Sequence, residues 1–260
     1  MTQTIHATLP QFEVFTVALL RVTAILSAFP ILGARAVPAM IKIGLAVALA
    51  LVTMPFLVAV RVPADPTAMA VGMAAEIGVG VVIGLIARCL FAGFEFAGEI
   101  MSNQMGLSAA QMIDPTSSHQ VPVLGQFQST IASLLFLTMN LHLVVVHALV
   151  ESFRLIPPFG ASLSEDLLDI VLHAFQNVLV VGVKLAAPVI VVTLVVNLVM
   201  AMLGRTVSQL NVFVLTFPLT IACGLLAIGV SLPALSGAMM DEFETMMRTL
   251  DHAMGVLGRG

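Results

Sequence analysis

Residues 68–97 read AMAVGMAAEIGVGVVIGLIARCLFAGFEFA. A run this apolar is long enough for one helix to cross a bilayer, which takes about 20 residues at ~1.5 Å each. It is nevertheless the most polar of the chain's apolar runs, with Glu76, Arg88 and Glu95 inside it and Glu99 just beyond. Arg88, Glu95 and Glu99 recur at i, i+7 and i+11, along one stripe of a helix. Charges in such a segment are costly and normally face a bundle interior or a water-filled path. The stripe reads either as ion pairs between packed subunits or as a proton relay, and the packing reading asks for less. Gly80-Val-Val-Ile-Gly84 is a GxxxG, which lets two helix backbones approach closely, although glycine is common in membrane helices.

Residues 98–122, GEIMSNQMGLSAAQMIDPTSSHQVP, are too polar to extend either neighbouring run, yet they carry Met101, Met105, Leu107, Met112 and Ile113. The stretch reads as a loop, and loops longer than about 12–15 residues are either functional or disordered. The plain alternative is an ordinary connection that happens to hold methionines. Thioether side chains are flexible and polarizable, so a methionine-bearing loop conforms to irregular or varying surfaces. Gly106 and the Asp114-Pro115 turn give it places to bend.

Composition bounds the class. Of 260 residues, 60% are hydrophobic and only 9% charged, with a mean hydropathy of +1.11; soluble domains carry about 25% charged residues. The chain is therefore membrane-integral or wrapped in other hydrophobic subunits. Its ten Lys and Arg are spread thinly at net charge −4, which makes no nucleic-acid footprint. Cys89 and Cys223 lie far apart inside apolar runs and read as small buried hydrophobes. Residues 1–11 hold no Lys or Arg and the run after them is too long for an h-region, so no cleavable leader is expected. Trp and Tyr, which usually mark both membrane interfaces, are absent, and this hints at helices that face protein more than lipid headgroups.

The remaining runs are 12–29, 39–60, 123–150, 166–203 and 212–232, for about six apolar helices in an all-α chain. The first holds Glu13 and Arg21, roughly on one face, read either as a pair facing a subunit or channel or as side chains snorkelling toward the ends. His142 and His147 in the fourth are five apart and lack a ligand cluster, so they read as packing residues. The fifth overshoots a bilayer, carries Lys184 near its middle, which implies a partner, and is expected to kink at Pro188. Residues 239–260 alternate charges with Met239, Met240, Phe243, Met246, Met247 and Leu250, an amphipathic helix suited to docking on a partner. As domains, this is a single helical subunit, 1–260: four helices over 12–150 with the loop 98–122, a hairpin over 166–238, and the tail 239–260. If every run spans, Arg61, Arg154, Arg248 and Arg259 fall on one side and Arg35, Lys42 and Arg205 on the other, so loop charge sets no orientation.

Several blocks together resemble the FliR family of the bacterial flagellar type III export apparatus. They are Arg21 through Pro30 with Gly33-Ala-Arg-Ala-Val-Pro38 and Lys42; Glu76 with its glycines and Glu95-Phe-Ala-Gly98; Gln104-Met-Gly106 through Asp114-Pro115; Leu135-Phe-Leu with Asn140-Leu-His142, Ser152-Phe153 and Pro157; and Gly204-Arg205 with Gln209-Leu-Asn211-Val-Phe213. Each block is weak alone, but their order and spacing cover nearly the whole chain. Ser208 stands where a proline is expected, and Leu141 fills a place that often holds a small residue.

The resemblance implies an export-gate subunit of the bacterial inner membrane and flagellar basal body, similar to the matching SctT/SpaR subunit of virulence injectisomes. Such a chain looks like a fusion of a FliP-like and a FliQ-like unit. It joins FliP-like and FliQ-like subunits in a helical gate, near FlhB-like and FlhA-like export proteins, and passes unfolded flagellar substrates without cofactor or enzymatic chemistry. It further implies that the loop 104–119 plugs the pore, against neighbouring methionines of the FliP-like subunits. The plug residues are then Gln104, Met105, Gly106, Leu107, Met112, Asp114 and Pro115, with Met105, Gly106, Leu107 and Met112 as the sealing surface. Arg21, Glu76, Arg88, Glu95, Glu99 and Lys184 are the candidates for charges between subunits. A small secondary transporter is the competing reading, because transporters place broken helices and ionisable groups at the midplane. Against it, the halves show no clear repeat. For an intramembrane enzyme there is no Ser/His, paired-Asp or metal constellation at usable spacing.

Overall fold

The computed structural model describes residues 2–29, 37–57, 63, 65–107, 123–161, 165–206 and 212–258, and among these all regular structure is helical. In chain order the helices are α1 (Thr2–Ala28), α2 (Ala39–Thr53, continued by a 3-10 turn Met54–Phe56), α3 (Pro66–Gln104), α4 (Val123–Thr138), α5 (Leu141–Leu155), α6 (Glu165–Thr206) and α7 (Val212–Leu257). Among the described residues four helices are long and apolar enough to cross a membrane: Ala39–Phe56, Pro66–Gln104, Asp166–Thr206 and Val214–Leu257. The pair α4 and α5, bent by 74°, would make a fifth.

The ends of α3 show why the sequence folds this way. Asp65 caps the start: its carboxylate accepts the Ala68 N–H at 3.1 Å and the Thr67 hydroxyl, and Pro66 occupies the first helical position, where its missing N–H costs nothing. At the other end Gly106 adopts φ +78. Its N–H bonds the Asn103 carbonyl at 3.1 Å and the Leu107 N–H bonds that of Ser102 at 3.0 Å, a Schellman cap that uses a residue tolerant of the left-handed region.

The structure differs from the sequence expectations at several points. Residues 98–104, read as loop, are the last two turns of α3. Met101 and Met105 continue the buried side of Ala97 at four-residue steps, and that stripe outweighs the local polarity. The fourth run is two helices rather than one, because Asn140 takes φ +57, a left-handed position that asparagine tolerates and a helix interior does not. Among the described residues, that division makes seven helices of about six runs. The sixth run and the tail are one 46-residue helix, α7, which passes through Pro233. The carbonyl that Pro233 leaves unbonded belongs to Gly229, which is exposed and has open space beside it. Finally, the apolar side of the tail is not left for a partner: Met239, Leu250, Ala253, Met254 and Leu257 are buried within the chain itself.

The chain divides into two compact units. The first comprises Met1–Cys89, Met139–Ala174 and Thr245–Gly260. In it the GxxxG of α3 lies on α1: a Cβ at Gly80 would stand 2.6 Å from the Ala24 Cβ, and one at Gly84 2.5 Å from that of Ala28. Small residues four apart on both helices therefore set this crossing. The second unit comprises Leu90–Thr138 and Phe175–Glu244. Its core joins Ala97, Met101, Met105, Leu124, Ala186, Val189 and Ile228. Beside these, Phe136 packs edge-on against Phe91 and Phe243, with ring centroids 5.3 and 6.2 Å away.

Candidate functional site

Among the described residues, each unit has one centre of unusual chemistry. In the first it is Arg21, fully buried on α1. Its Nε donates to Glu76 Oε2 of α3 at 2.7 Å, and Nη1 donates to the carbonyls of Ser152 (2.9 Å) and Ile156 (3.0 Å). Those carbonyls belong to the last turn of α5 and the residue after it, where a helix favours positive charge; that of Ser152 also accepts the Ile156 N–H at 2.9 Å. Nη2 has no hydrogen-bond partner among the described residues; the Phe153 ring centroid lies 4.4 Å from Cζ, within cation–π range. Glu76 uses its other oxygen to accept the Phe159 N–H at 3.0 Å. Phe159 itself sits at φ +65, rare for an aromatic residue, and its ring covers Gly72, where no side chain would fit. One ion pair therefore ties α1, α3, the end of α5 and the turn after it.

The second centre is the end of α3. Met101 and Met105 are almost wholly buried, and Leu107 packs against their cluster. The thioether of Met105 lies over Gly224 of α7, where a Cβ would meet its Cγ at 2.6 Å and its Sδ at 2.8 Å. The Phe217 ring covers Gly106, and the Thr220 hydroxyl is 3.3 Å from the Met105 carbonyl. Of the residues expected to form a plug, Gln104 is exposed, Gly106 and Leu107 are half-buried, and Met105 is core. Met112, Asp114 and Pro115 lie outside the described residues. Met105 thus departs from its expected place on a sealing surface, because α3 extends far enough to carry it into the second unit's interior.

The charge candidates fall into three groups. Arg21 and Glu76 are consumed by one another inside the chain. Arg88 and Glu95 are exposed and Glu99 half-buried, and among the described residues none of the three has an ion-pair partner. Lys184 is exposed on α6 with Nζ 3.6 Å from Glu242 Oε1 of α7, and Asn177 Nδ2 donates to Oε2 of the same carboxylate at 2.9 Å. Only the lysine of this pair is exposed, the Glu242 side chain being mostly buried. Glu13, paired with Arg21 by sequence spacing, has no part in the centre. The sequence reading missed Phe159, Phe217, Thr220 and the α5 carbonyls, since nothing in a linear pattern marks a backbone acceptor or a residue opposite a distant methionine.

Residues 12–246 match the family model described as "Bacterial export proteins, family 1". The flagellar biosynthetic protein FliR of Escherichia coli (strain K12) is 36% identical over 219 residues, 84% of each chain. The chain belongs to the FliR family. The FliR of Pectobacterium carotovorum subsp. carotovorum is 33% identical over 213 residues, 82% of each chain. That of Bacillus subtilis (strain 168) is 30% identical over 256 residues, 95% of this chain and 96% of its own. This FliR-family chain is accordingly a flagellar export-gate protein, and its long apolar helices make it a membrane protein. Within the matched range lie both centres: Arg21 with Glu76, and the methionine-bearing end of α3 with α7.

Proposed function

We propose that this FliR-family chain is a non-enzymatic stave of the gate, assembled with FliP-like and FliQ-like subunits in the bacterial inner membrane at the flagellar basal body. Its methionine-bearing stretch closes the empty pore. FlhB-like and FlhA-like proteins are the expected neighbours, and unfolded flagellar proteins the traffic. The observation that carries the reading is the Schellman-capped end of α3, where a buried methionine pair roots the next stretch of chain in a packed core. A pore for unfolded chains must seal against ions when idle yet deform around many side chains, and a thioether-rich constriction suits both tasks.

Large apolar side chains on α6 and α7, among them Leu194, Leu226 and Val230, are exposed, as a stave awaiting neighbours requires. Arg88, Glu95, Glu99 and Lys184 are then the charges available to those neighbours. α3 is 39 residues long, about 58 Å at ~1.5 Å per residue, nearly twice a bilayer's hydrocarbon core, which favours a gate standing partly clear of the lipid. The test replaces residues 106–110 with a short Gly-Ser linker and measures ion leak through assembled gates. Leak is expected, and intact impermeability overturns the plug.

The bend between α4 and α5 at Asn140 favours the second reading, a secondary transporter, since carriers use interrupted helices. Copurification separates the two. A gate subunit comes down with FliP-like and FliQ-like chains, whereas a carrier purifies alone or as a symmetric dimer.

A further inference from the structure

We infer that Gly224 and Thr220 of α7 are positioning residues for the seal: together they form a socket that holds the Met105 end of α3. The inference rests on the plug reading and adds to it the part of the fold that keeps the plug's root still. Three observations of different kinds converge on the socket. The first is space. Gly224 is buried, and the Cγ, Sδ and Cε of Met105 all stand within 2.6–2.9 Å of where its Cβ would be, so the methionine fills the notch that the missing side chain leaves.

The second is hydrogen bonding. Met105 is the residue at the C-cap, so no N–H of α3 reaches its carbonyl, and it is fully buried. Thr220 stands 3.3 Å from that carbonyl and 3.0 Å from those of Thr216 and Phe217. A hydroxyl has one hydrogen to give. The other two carbonyls lie inside α7 and have helical N–H partners, so the Met105 oxygen is the acceptor that needs it. The third is the lid on the cap itself. The Phe217 ring rests on Gly106, with Cε1 and Cδ1 2.6 and 2.7 Å from where its Cβ would be, and so bars any larger residue at a position already confined to glycine by φ +78. Phe217, Thr220 and Gly224 step along α7 at intervals of three and four residues, one face of the helix.

The socket assigns Met105 and Gly106 a mechanical task. They fix where α3 stops. The experiment uses complete gates with FliP-like and FliQ-like subunits in cells. It measures ion leak per assembled gate, export of a flagellar substrate, and gate amount by copurification. Gly224→Leu, which evicts the thioether, is expected to raise leak about tenfold or more at unchanged gate amount, the population shift that overpacking of a filled site gives. Gly224→Ala displaces only the flexible end of Met105 and is expected to leak far less. The size swap, Met105→Ala with Gly224→Met, refills the notch from the other side and is expected to restore the seal.

If Gly224→Leu does not assemble, Thr220→Val is read instead, since it removes the hydroxyl and keeps the shape; a rise of a few fold is expected. Gates that leak when residues 106–110 are replaced but stay tight with Gly224→Leu or Thr220→Val overturn the socket and leave the plug standing. A size swap that leaks as badly as Gly224→Leu also overturns it, because Met105 would then seal by its own surface. If the linker replacement itself stays tight, the plug fails and the socket with it.

Discussion

The two centres of this chain hold helices together by opposite means. Around Arg21 the contacts are directional and charged: Glu76, two carbonyls and an aromatic face. Around Met105 they are soft and nondirectional, a thioether against a glycine notch with a single long hydroxyl contact. A charge taken out of water tolerates no loss of partner, whereas a methionine reshapes itself around small changes. The first arrangement suits a part that must keep one geometry. The second suits a part bordering a moving constriction. The difference teaches that, in a chain with few charges, rigidity is placed by pairing them and compliance by leaving them out.

The sharpest way to break the comparison is Glu76→Ala. It strands a buried guanidinium and an unpaired Phe159 N–H, and removing one partner of a buried pair costs about 3–5 kcal/mol. The expected result is a chain that fails to accumulate in folded form, read by size-exclusion profile and thermal unfolding of detergent-solubilised complexes. Arg21→Lys keeps the charge but not the fork that serves Glu76 and two carbonyls at once, so a loss of about 1.5–3 kcal/mol is expected in the same assay. If that substitution is silent, the first centre is not directional. In the second centre Met101→Leu keeps volume and hydrophobicity and is expected to cost under about 1.5 kcal/mol. A loss as large as that of Glu76→Ala would erase the contrast.

The smallest effect concerns neither centre but the cap before them. The Thr67 hydroxyl and the Ala68 N–H hold the Asp65 carboxyl below its ordinary value. A depressed folded pKa stabilises above the unfolded value of about 3.9 and the contribution is lost as pH falls through the folded one. Asp65→Asn keeps a capping oxygen and loses the titration. Fraying of the first turn of α3, followed by hydrogen exchange, is therefore expected to rise below about pH 4 in the parent chain but not in the variant.

Legibility in the sequence tracks the information that periodicity carries. Apolar runs and glycine spacing report helices and their close approaches, so the all-α class and the Gly80/Gly84 crossing could be read directly. Helix ends were less legible. The two turns over 98–104 look like loop because their polarity is local, while the stripe that keeps them helical is tertiary. Asn140 carries no mark that distinguishes a left-handed break from a polar residue in mid-helix. At the sites, Arg21 and Glu76 were both singled out but not joined, since 55 residues separate them and spacing offered Glu13 instead. Thr220 was invisible because it answers a backbone carbonyl, which every residue possesses.

The length of α7 has a practical consequence. Its 46 residues extend about 69 Å at ~1.5 Å per residue, although the hydrocarbon layer takes only about 30 Å. Reporter-fusion mapping assumes that each greasy helix threads the membrane once and emerges on a definite side. Fusions placed along α7 are expected to give conflicting assignments depending on whether the rest of the machine is present, and the conflict itself would measure how much of this protein is held by its neighbours instead of by lipid.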